Sequence, residues 1–442
     1  MTHARWRTSS PSFTLGPDVP RVIVACTEGE AAHVRPLVVR AYEEARARRW
    51  PFLSEVLEGV LRGVAEADRG VVAGAVQALV KYDRLLGFAC GSGGAESRLD
   101  ALFALTGGET DLDSRLARIE RATERLGVTY SLPDWLVDLV RSELGEASLE
   151  PALARMNELA PRVARVNAIQ STRDACLRAL VAEGVTAHPT ARARCGVVLE
   201  GRRSPFRTKV FANGEMEMQD EASQLVAELV APPPRSRVID ACAGAGGKTL
   251  ALAALLEGKG RVLALDSSEG KLEELRRRAR RAGASNVRAI VVDLLEPGDA
   301  LAGFEGAASR VLVDAPCTGL GAVRRNPETR WRLQPDDVAR LVIAQADLVR
   351  AAARLVAPEG RLVYATCSFL PAEGERAVEG FLANEQGWRI VTVRDVMGRA
   401  RTDGVATAGG RYLRTWRFDG TPDGGDEGMD GFFAAVLKRM PS

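Results

Sequence analysis

The sequence predicts an α/β chain whose C-terminal half is an open, largely parallel sheet covered by helices, preceded by an all-helical region and a small α/β module. Two observations carry this. Apolar residues recur at helical spacing in the first third of the chain, as in Leu53, Val56, Leu57, Val60, Leu61 and Val64, so each such segment can bury one face. From Gln219 onward, short apolar runs alternate with helical stretches: Val238–Asp240, Val262–Asp266, Ala289–Asp293, Val311–Asp314 and Leu362–Ala365. Runs of that kind mark a parallel sheet, because crossover helices bury both faces of every strand.

Taken in order, a polar lead is followed by the helix beginning at Leu53. Asp68 is expected to cap a second helix carrying Val72, Val76 and Leu79; Leu116, Ile119, Thr123 and Leu126 mark another, with a break at Gly91–Gly94 between them. Residues 21–128 therefore read as a helical domain. Beyond Pro133 comes a short helix through Trp135 and Leu139. Arg162–Asn167 and Gly196–Glu200 then read as strands around a helix over Asp174–Val181, giving a small α/β module over 129–215. Residues 216–442 form the parallel-sheet domain.

The 442 residues carry 60 Lys and Arg against 58 Asp and Glu, a net charge of +2. That lacks the basic excess of a dedicated nucleic-acid binder, so any polyanion site has to be local. At about 150 residues per domain the length suits roughly three domains. A composition of 46% hydrophobic and 27% charged residues supplies real cores. The opening MTHARWRTSSPSFTLG has no apolar stretch followed by a small-residue cleavage site, and no run reaches about 18 apolar residues, so a cytoplasmic protein without membrane contact is expected. The seven cysteines form no C-x-x-C pair and the three histidines lie far apart. Neither a zinc site nor a disulfide framework is supported, no metal is expected, and a special cysteine would be reactive rather than structural.

Four of the five apolar runs end in Asp: Asp240, Asp266, Asp293 and Asp314. In an open α/β sheet, ligands bind outside the carboxyl ends of the strands, which is where these carboxylates stand. Any one of them alone could simply end a strand or cap a helix. Asp240–Thr249 reads D-A-C-A-G-A-G-G-K-T directly after the first run. Its glycines permit a tight turn and close approach to a ligand, and the helix that follows presents free amides. The G-K-T ending suggests a phosphate loop, yet the position of the first Walker glycine is Cys242. A dinucleotide G-x-G-x-x-G fails too, because its third glycine position is Thr249. Asp266, ending the second run, can accept both hydroxyls of an adenosine ribose, and Asp293 is placed to meet an adenine amino group. Ribose and adenine contacts without a phosphate cradle point to S-adenosylmethionine rather than NAD or ATP.

Two later runs lead into cysteine turns, Asp314-Ala-Pro-Cys317 and Thr366-Cys367-Ser368, which would face one crevice. A lone cysteine is ordinarily a small buried hydrophobe; two at adjacent strand ends beside a cofactor loop read as chemistry. Carbon 5 of cytosine is too poor a nucleophile to take a methyl group unaided. A thiolate adding to carbon 6 pushes electron density to carbon 5, and an acid at the ring nitrogen stabilises the adduct. The residues offer a nucleophile, an acidic partner in Asp314 and a second thiol, without choosing between the thiols.

With QDEAS at Gln219–Ser223, RRNPE at Arg324–Glu328, ATCSF at Ala365–Phe369 and DGFF at Asp430–Phe433, these stretches resemble the Sun (Fmu) family of RNA cytosine-5 methyltransferases. The resemblance is to the bacterial branch with a NusB-like N-terminal domain and extends over nearly the whole chain. It implies a Rossmann-like S-adenosylmethionine-dependent methyltransferase domain that forms 5-methylcytosine in small-subunit (16S) ribosomal RNA. It implies that Cys367 is the nucleophile and that Cys317 assists release of the RNA adduct. It also implies cofactor contacts from Cys242, Ala243, Gly244, Ala245, Gly246, Gly247 and Lys248, with Asp266 and Asp293, and places Asp314 between methyl donor and target base. Lys248 would hold Asp314 or the pyrimidine. Ala243-Gly244-Ala245 departs from the alanine-alanine-proline common in the family. The rival reading is a non-catalytic RNA-binding assembly factor with a relic methyltransferase domain, against which the intact Cys317, Cys367 and Asp314 stand.

Arg192–Lys209 holds six basic residues against one acid, Glu200, and Arg324, Arg325, Arg330 and Arg332 follow the first cysteine turn. Both clusters are expected to hold phosphates of ribosomal RNA, with salt-dependent binding by a monomer. Arg276–Arg281 is expected to be a solvated helix face, and Phe432 and Phe433 to be core. The Asp- and Gly-rich stretch between Trp416 and Asp430 predicts a mobile final hairpin.

Overall fold

The computed structural model describes residues 24, 26–91, 93–107, 111–201, 203–418 and 428–441. The stretch expected to be mobile falls largely at 419–427, outside the described residues. The chain folds as two units: one reaches to Leu159 and takes in Val323–Leu333, and the other comprises Ala160–Ala322 with Gln334–Ser442.

In the first unit the helical periodicity does its expected work. Leu53, Val56, Leu57 and Val60 are buried along one face of Leu53–Val60, and Val72, Val76 and Leu79 along one face of Glu66–Lys81. They share a core with Tyr42, Tyr82 and Leu86. Asp68 is not the cap that its position in the sequence suggests; the helix starts one turn earlier after Ala65, and the Asp68 carboxylate pairs with His33 Nε2 at 2.8 Å instead. The expected helix through Leu116 and Leu126 is two helices, Leu112–Leu116 and Ala122–Thr129. Asp134–Leu144 and Glu146–Arg155 pack within this same unit, whose continuous stretch reaches Leu159.

The returning segment corrects the expectation for the second arginine cluster. Arg330 is fully buried: Nη1 donates to Asn157 Oδ1 at 2.7 Å and to Lys81 O at 3.2 Å, and Nη2 to Met156 O at 3.0 Å. Trp331 Nε1 donates to Val80 O at 2.7 Å, and the side chain of Arg324 is also buried. A guanidinium presents its donors in a planar fork, and here backbone carbonyls and an amide oxygen take up both terminal nitrogens. Arg324 and Arg330 are thus internal struts of the helical unit, not phosphate ligands.

The second unit holds two sheets. Strands β1 (Arg162–Val166), β2 (Ala187–Pro189), β3 (Gly196–Leu199) and β4 (Met216–Met218) pair antiparallel in the order β2-β3-β1-β4. The helix Arg173–Ala182, capped by Thr172 Oγ1, supplies Cys176 and Leu180 to their core. The larger sheet comprises β5 (Arg237–Asp240), β6 (Arg261–Asp266), β7 (Val287–Val291), β8 (Ala308–Asp314), β9 (Val356–Thr366), β10 (Trp388–Val391), β11 (Leu413–Arg414) and β12 (Phe433–Arg439). Its order is β10-β12-β9-β8-β5-β6-β7, with β11 on β12. Neighbours among β5 to β9 are parallel, and β12 pairs antiparallel with β9, β10 and β11.

Successive strand residues enter opposite cores, as a period of two requires. Val238, Leu312 and Val363 pack on one face, and Ile239, Val311, Val313 and Tyr364 on the other. This is why the strands read as unbroken apolar runs. Because β5 is flanked by β6 on one side and the parallel β8 on the other, the order in which strands are added reverses at β5, and the carboxyl ends of such a switch point are where ligands bind in open α/β sheets. Asp240, Asp266 and Asp314 end strands there, whereas Asp293 lies two residues past the end of β7. Phe432 and Phe433 are buried, and no described helix is long and apolar enough to cross a membrane.

Candidate active site

The loop after β5 turns through glycines into the helix Gly247–Leu255. Gly246 has φ +87°, and a Cβ there would lie 2.1 Å from Leu275 Cδ1, so only glycine fits. At Gly244 the same construction meets nothing within 4 Å, which leaves open space beside the loop. Asp266 holds this loop: Oδ2 accepts from Gly244 N at 2.9 Å and Oδ1 from Ser268 N at 2.9 Å. Each carboxylate oxygen keeps a further lone pair for a ligand hydroxyl. Ala243 N donates to Leu265 O at 2.8 Å, and Ala245 O accepts from Arg278 Nη1 at 2.8 Å.

That last bond corrects the picture of a solvated arginine face. Arg277 pairs with Glu274 in the open, but Arg278 and Arg281 turn inward to the buried Glu217. Arg278 thereby ties the glycine loop to β4. Cys242 is a packing group, since burial, reinforced by Asp240 and Asp314, pushes its thiol up and keeps it neutral. Asp293 is exposed and accepts from Leu295 N at 2.9 Å, and among the described residues it bonds to none of the other proposed site residues.

Lys248, one residue into the helix, directs Nζ to Asp314 Oδ2 at 2.6 Å and lies 4.8 Å over the Phe432 ring. Beneath it, Asp240 accepts from Thr249 Oγ1 at 2.7 Å, and burial pushes its carboxyl up to about 7. The switch point thus joins Lys248 to Asp314 across 66 residues of chain.

The two cysteine turns meet as well. Cys317 Sγ lies 3.3 Å from Cys367 Sγ. The bond to Cys367, then burial, then the charge of Cys367 and, after it, that of Glu373 push the Cys317 thiol well above its ordinary range. Gly321 N donates to Cys367 O at 3.0 Å, and Gly431 N donates to Gly321 O at 2.8 Å. A Cβ on Gly321 would fall 1.8 Å from Gly431 O, so the turn and the DGFF segment touch backbone to backbone. Trp416 stacks on Phe369 at 5.7 Å and donates Nε1–H to Met429 O at 2.8 Å, closing the rear of the site.

Sequence reasoning missed the polar cluster behind these turns. Glu373, wholly buried, accepts from Thr318 N at 2.9 Å, Thr318 Oγ1 at 2.5 Å and Gln345 Nε2 at 2.9 Å. Its backbone carbonyl accepts from Tyr364 OH at 2.8 Å and Thr366 Oγ1 at 3.2 Å. The one available signal was Gln345 on the buried face of the helix Pro335–Ala353; nothing local marks Glu373.

Residues 227–438 match the family described as 16S rRNA methyltransferase RsmB/F, and residues 132–204 match the RsmF/B-like ferredoxin-like domain. The chain is 32% identical over 340 residues to a probable ribosomal RNA small subunit methyltransferase B of Synechocystis sp., covering 74% of each chain. It is 34% identical over 333 residues to ribosomal RNA small subunit methyltransferase B of Xylella fastidiosa, covering 73% of this chain and 72% of that one. Among solved structures, that of PH0851 shares the fold with a TM-score of 0.76 at 22% identity, over 94% of this chain and 100% of that one. A methyltransferase homolog protein from Pyrococcus horikoshii does so with a TM-score of 0.59 at 24% identity, over 73% of this chain and 100% of that one. Identity of this extent, with family matches falling on both the antiparallel module and the parallel sheet, means that the chain belongs to the 16S rRNA methyltransferase RsmB/F family, a family of rRNA cytosine-5 methyltransferases.

Proposed function

We propose that the protein methylates carbon 5 of a cytosine in small-subunit ribosomal RNA through a covalent adduct between Cys367 and carbon 6. The observation that carries this reading is the pair of thiols, Cys317 and Cys367, 3.3 Å apart at the ends of adjacent strands, with Asp314 opening the same turn and held by Lys248.

The loop suits S-adenosylmethionine: it is open at Gly244, Asp266 retains acceptor capacity, and Cys242 is neutral. Residues Cys242 to Lys248, with Asp266, Asp293 and Asp314, would hold it, and when bound it supplies an electrophilic methyl group. Cys367 adds as a thiolate to carbon 6, making carbon 5 nucleophilic. Asp314 meets the polar edge of the base, and the Lys248 ammonium is the adjacent source of the proton that the ring nitrogen takes up. In release, the Cys317 thiol gives its proton to the departing Cys367 sulfur, the Cys317 thiolate left behind takes the carbon 5 proton, and the ring nitrogen returns its proton to Lys248, so that the one proton released overall is the one Cys367 gave to solvent on becoming a thiolate. Both thiols are thereby restored.

The division into a NusB-like region over 21–128, an RNA-binding module over 129–215 and a catalytic domain over 216–442 belongs to the same proposal. Arg194, Arg203, Arg207 and Lys209 are exposed on the module and serve as its phosphate contacts. A target within folded RNA would be swung out of its stack to reach the thiol. Incubation with labelled methyl donor and ribosomal RNA, followed by mapping of the modified base, tests the reading: 5-methylcytosine supports it, and a label on any other base overturns it.

A further inference from the structure

Two equivalent thiols 3.3 Å apart pose a problem of choice. The first thiolate to form disfavours the second, so the pair carries at most one negative charge, and something has to decide which sulfur bears it when it forms. The sulfurs themselves do not differ. Their surroundings do, through Glu373.

Glu373 sits behind both turns with no exposed surface, and no cation is paired with it among the described residues. One carboxylate oxygen takes the Thr318 amide and the Gln345 amide group, and the other takes the Thr318 hydroxyl at 2.5 Å. Gln345 also donates to Pro316 O at 3.0 Å, so both residues flanking Cys317 are gripped. On the other side the Glu373 carbonyl receives Tyr364 OH and Thr366 Oγ1 from the strand that delivers Cys367. Ser368, just beyond Cys367, lies 3.3 Å from the Thr318 hydroxyl. The carboxylate is thus bonded on the Cys317 side, while only the uncharged carbonyl serves the Cys367 side.

We propose that Glu373 is a positioning residue for the thiol pair: it clamps the two cysteine turns in register, and its negative charge holds the proton on Cys317, leaving Cys367 as the sulfur that attacks. The proposal rests on the reading of Cys367 as nucleophile. The Glu373 charge is among the causes that push the Cys317 thiol up, which agrees with the asymmetry of the bonds. Cys317 then donates the hydrogen bond within the pair and is already protonated when Cys367 has to leave.

The test uses the full chain as wild type, Glu373→Gln, Glu373→Asp and Thr318→Val. Alkylation by iodoacetamide across pH, read separately for Cys317 and Cys367 by peptide mass spectrometry, is compared with kcat and KM for ribosomal RNA methylation. Glu373→Gln is expected to lower the pH midpoint of Cys317 alkylation by about one unit and kcat about tenfold or more, with KM for RNA little changed. Glu373→Asp keeps the charge and so keeps the Cys317 midpoint near wild type. Thr318→Val keeps the charge but loses a tether, so its kcat falls while the Cys317 midpoint stays. An unmoved Cys317 midpoint in folded Glu373→Gln overturns the proposal. Should that variant not fold, Thr318→Val decides: wild-type kcat there overturns it, and reduced kcat with an unmoved midpoint supports it. Alkylation needs neither RNA nor methyl donor. A shifted midpoint in a protein whose Cys367 forms no RNA adduct would therefore remove the methylation reading alone, and an unshifted one in a protein that does form the adduct would remove the positioning role alone.

Discussion

The Lys248 ammonium meets the Asp314 carboxylate at 2.6 Å, with 9% and 29% of the two side chains exposed. In so sheltered a place an ion pair is held by geometry, and removal of one partner leaves the other poorly solvated. Lys248→Met is expected to lower the rate of methyl transfer about 100-fold and to change cofactor affinity far less. Lys248→Arg should not restore it, because a planar fork replaces a compact ammonium packed over Phe432. Single-turnover methylation alongside calorimetric titration of the cofactor checks this; equal losses of rate and affinity would leave Lys248 a cofactor-holding residue alone.

Asp266 fastens Gly244 and Ser268 through two charge-assisted bonds. Asp266→Ala removes both along with the proposed ribose acceptor. It should weaken S-adenosylmethionine binding by about tenfold to a hundredfold, the range for hydrogen bonds to a charged group. The exposed Asp293 should matter less when changed to alanine. Calorimetry on the two variants checks the order.

Much of the site was legible because its elements obey local rules. Strands buried on both faces must be apolar throughout, as Val238–Ile239 and Val311–Val313 are, and the glycines of the loop are demanded by φ +87° at Gly246 and the closeness of Leu275. What escaped depends on interactions between distant segments. An arginine run looks like surface until Arg330 finds carbonyls at Lys81 and Met156, or Arg278 finds Glu217. Asp68 obeys a capping rule that the earlier helix start after Ala65 overrides. No spacing rule joins Glu373, Gln345 and Tyr364, which come from a short turn, a helix and a strand.

Arg330→Leu is expected to destabilise the protein by about 2–4 kcal/mol, because Asn157 Oδ1 and the surrounding carbonyls lose their donors inside the core. RNA affinity of the folded fraction and its salt slope should not change. Arg203→Glu with Arg207→Glu should instead flatten the salt slope by about one for each phosphate that is no longer neutralised. Denaturant melts and filter binding at several salt concentrations separate the two outcomes.

Buried Asp240 holds its proton up to about 7 against an ordinary 3.8, chiefly through desolvation. Below 3.8 the carboxyl is protonated in both folded and unfolded chains. Between 3.8 and about 7 only the unfolded chain has lost the proton, so stability falls as pH rises through this window and levels off above it. Asp240→Asn keeps an acceptor for Thr249 and abolishes the titration. The Tm of the variant relative to wild type should therefore rise through that window and then stay constant. Parallel curves would contradict the assignment.

The central claim is that Cys367 carries the RNA. Wild type, Cys367→Ala and Cys317→Ala, each incubated with S-adenosylmethionine and ribosomal RNA and then run under denaturing conditions, test it most directly. The predicted result is a persistent protein–RNA adduct with Cys317→Ala and neither adduct nor 5-methylcytosine with Cys367→Ala. An adduct that required Cys317 instead, or full methylation by Cys367→Ala, would contradict it.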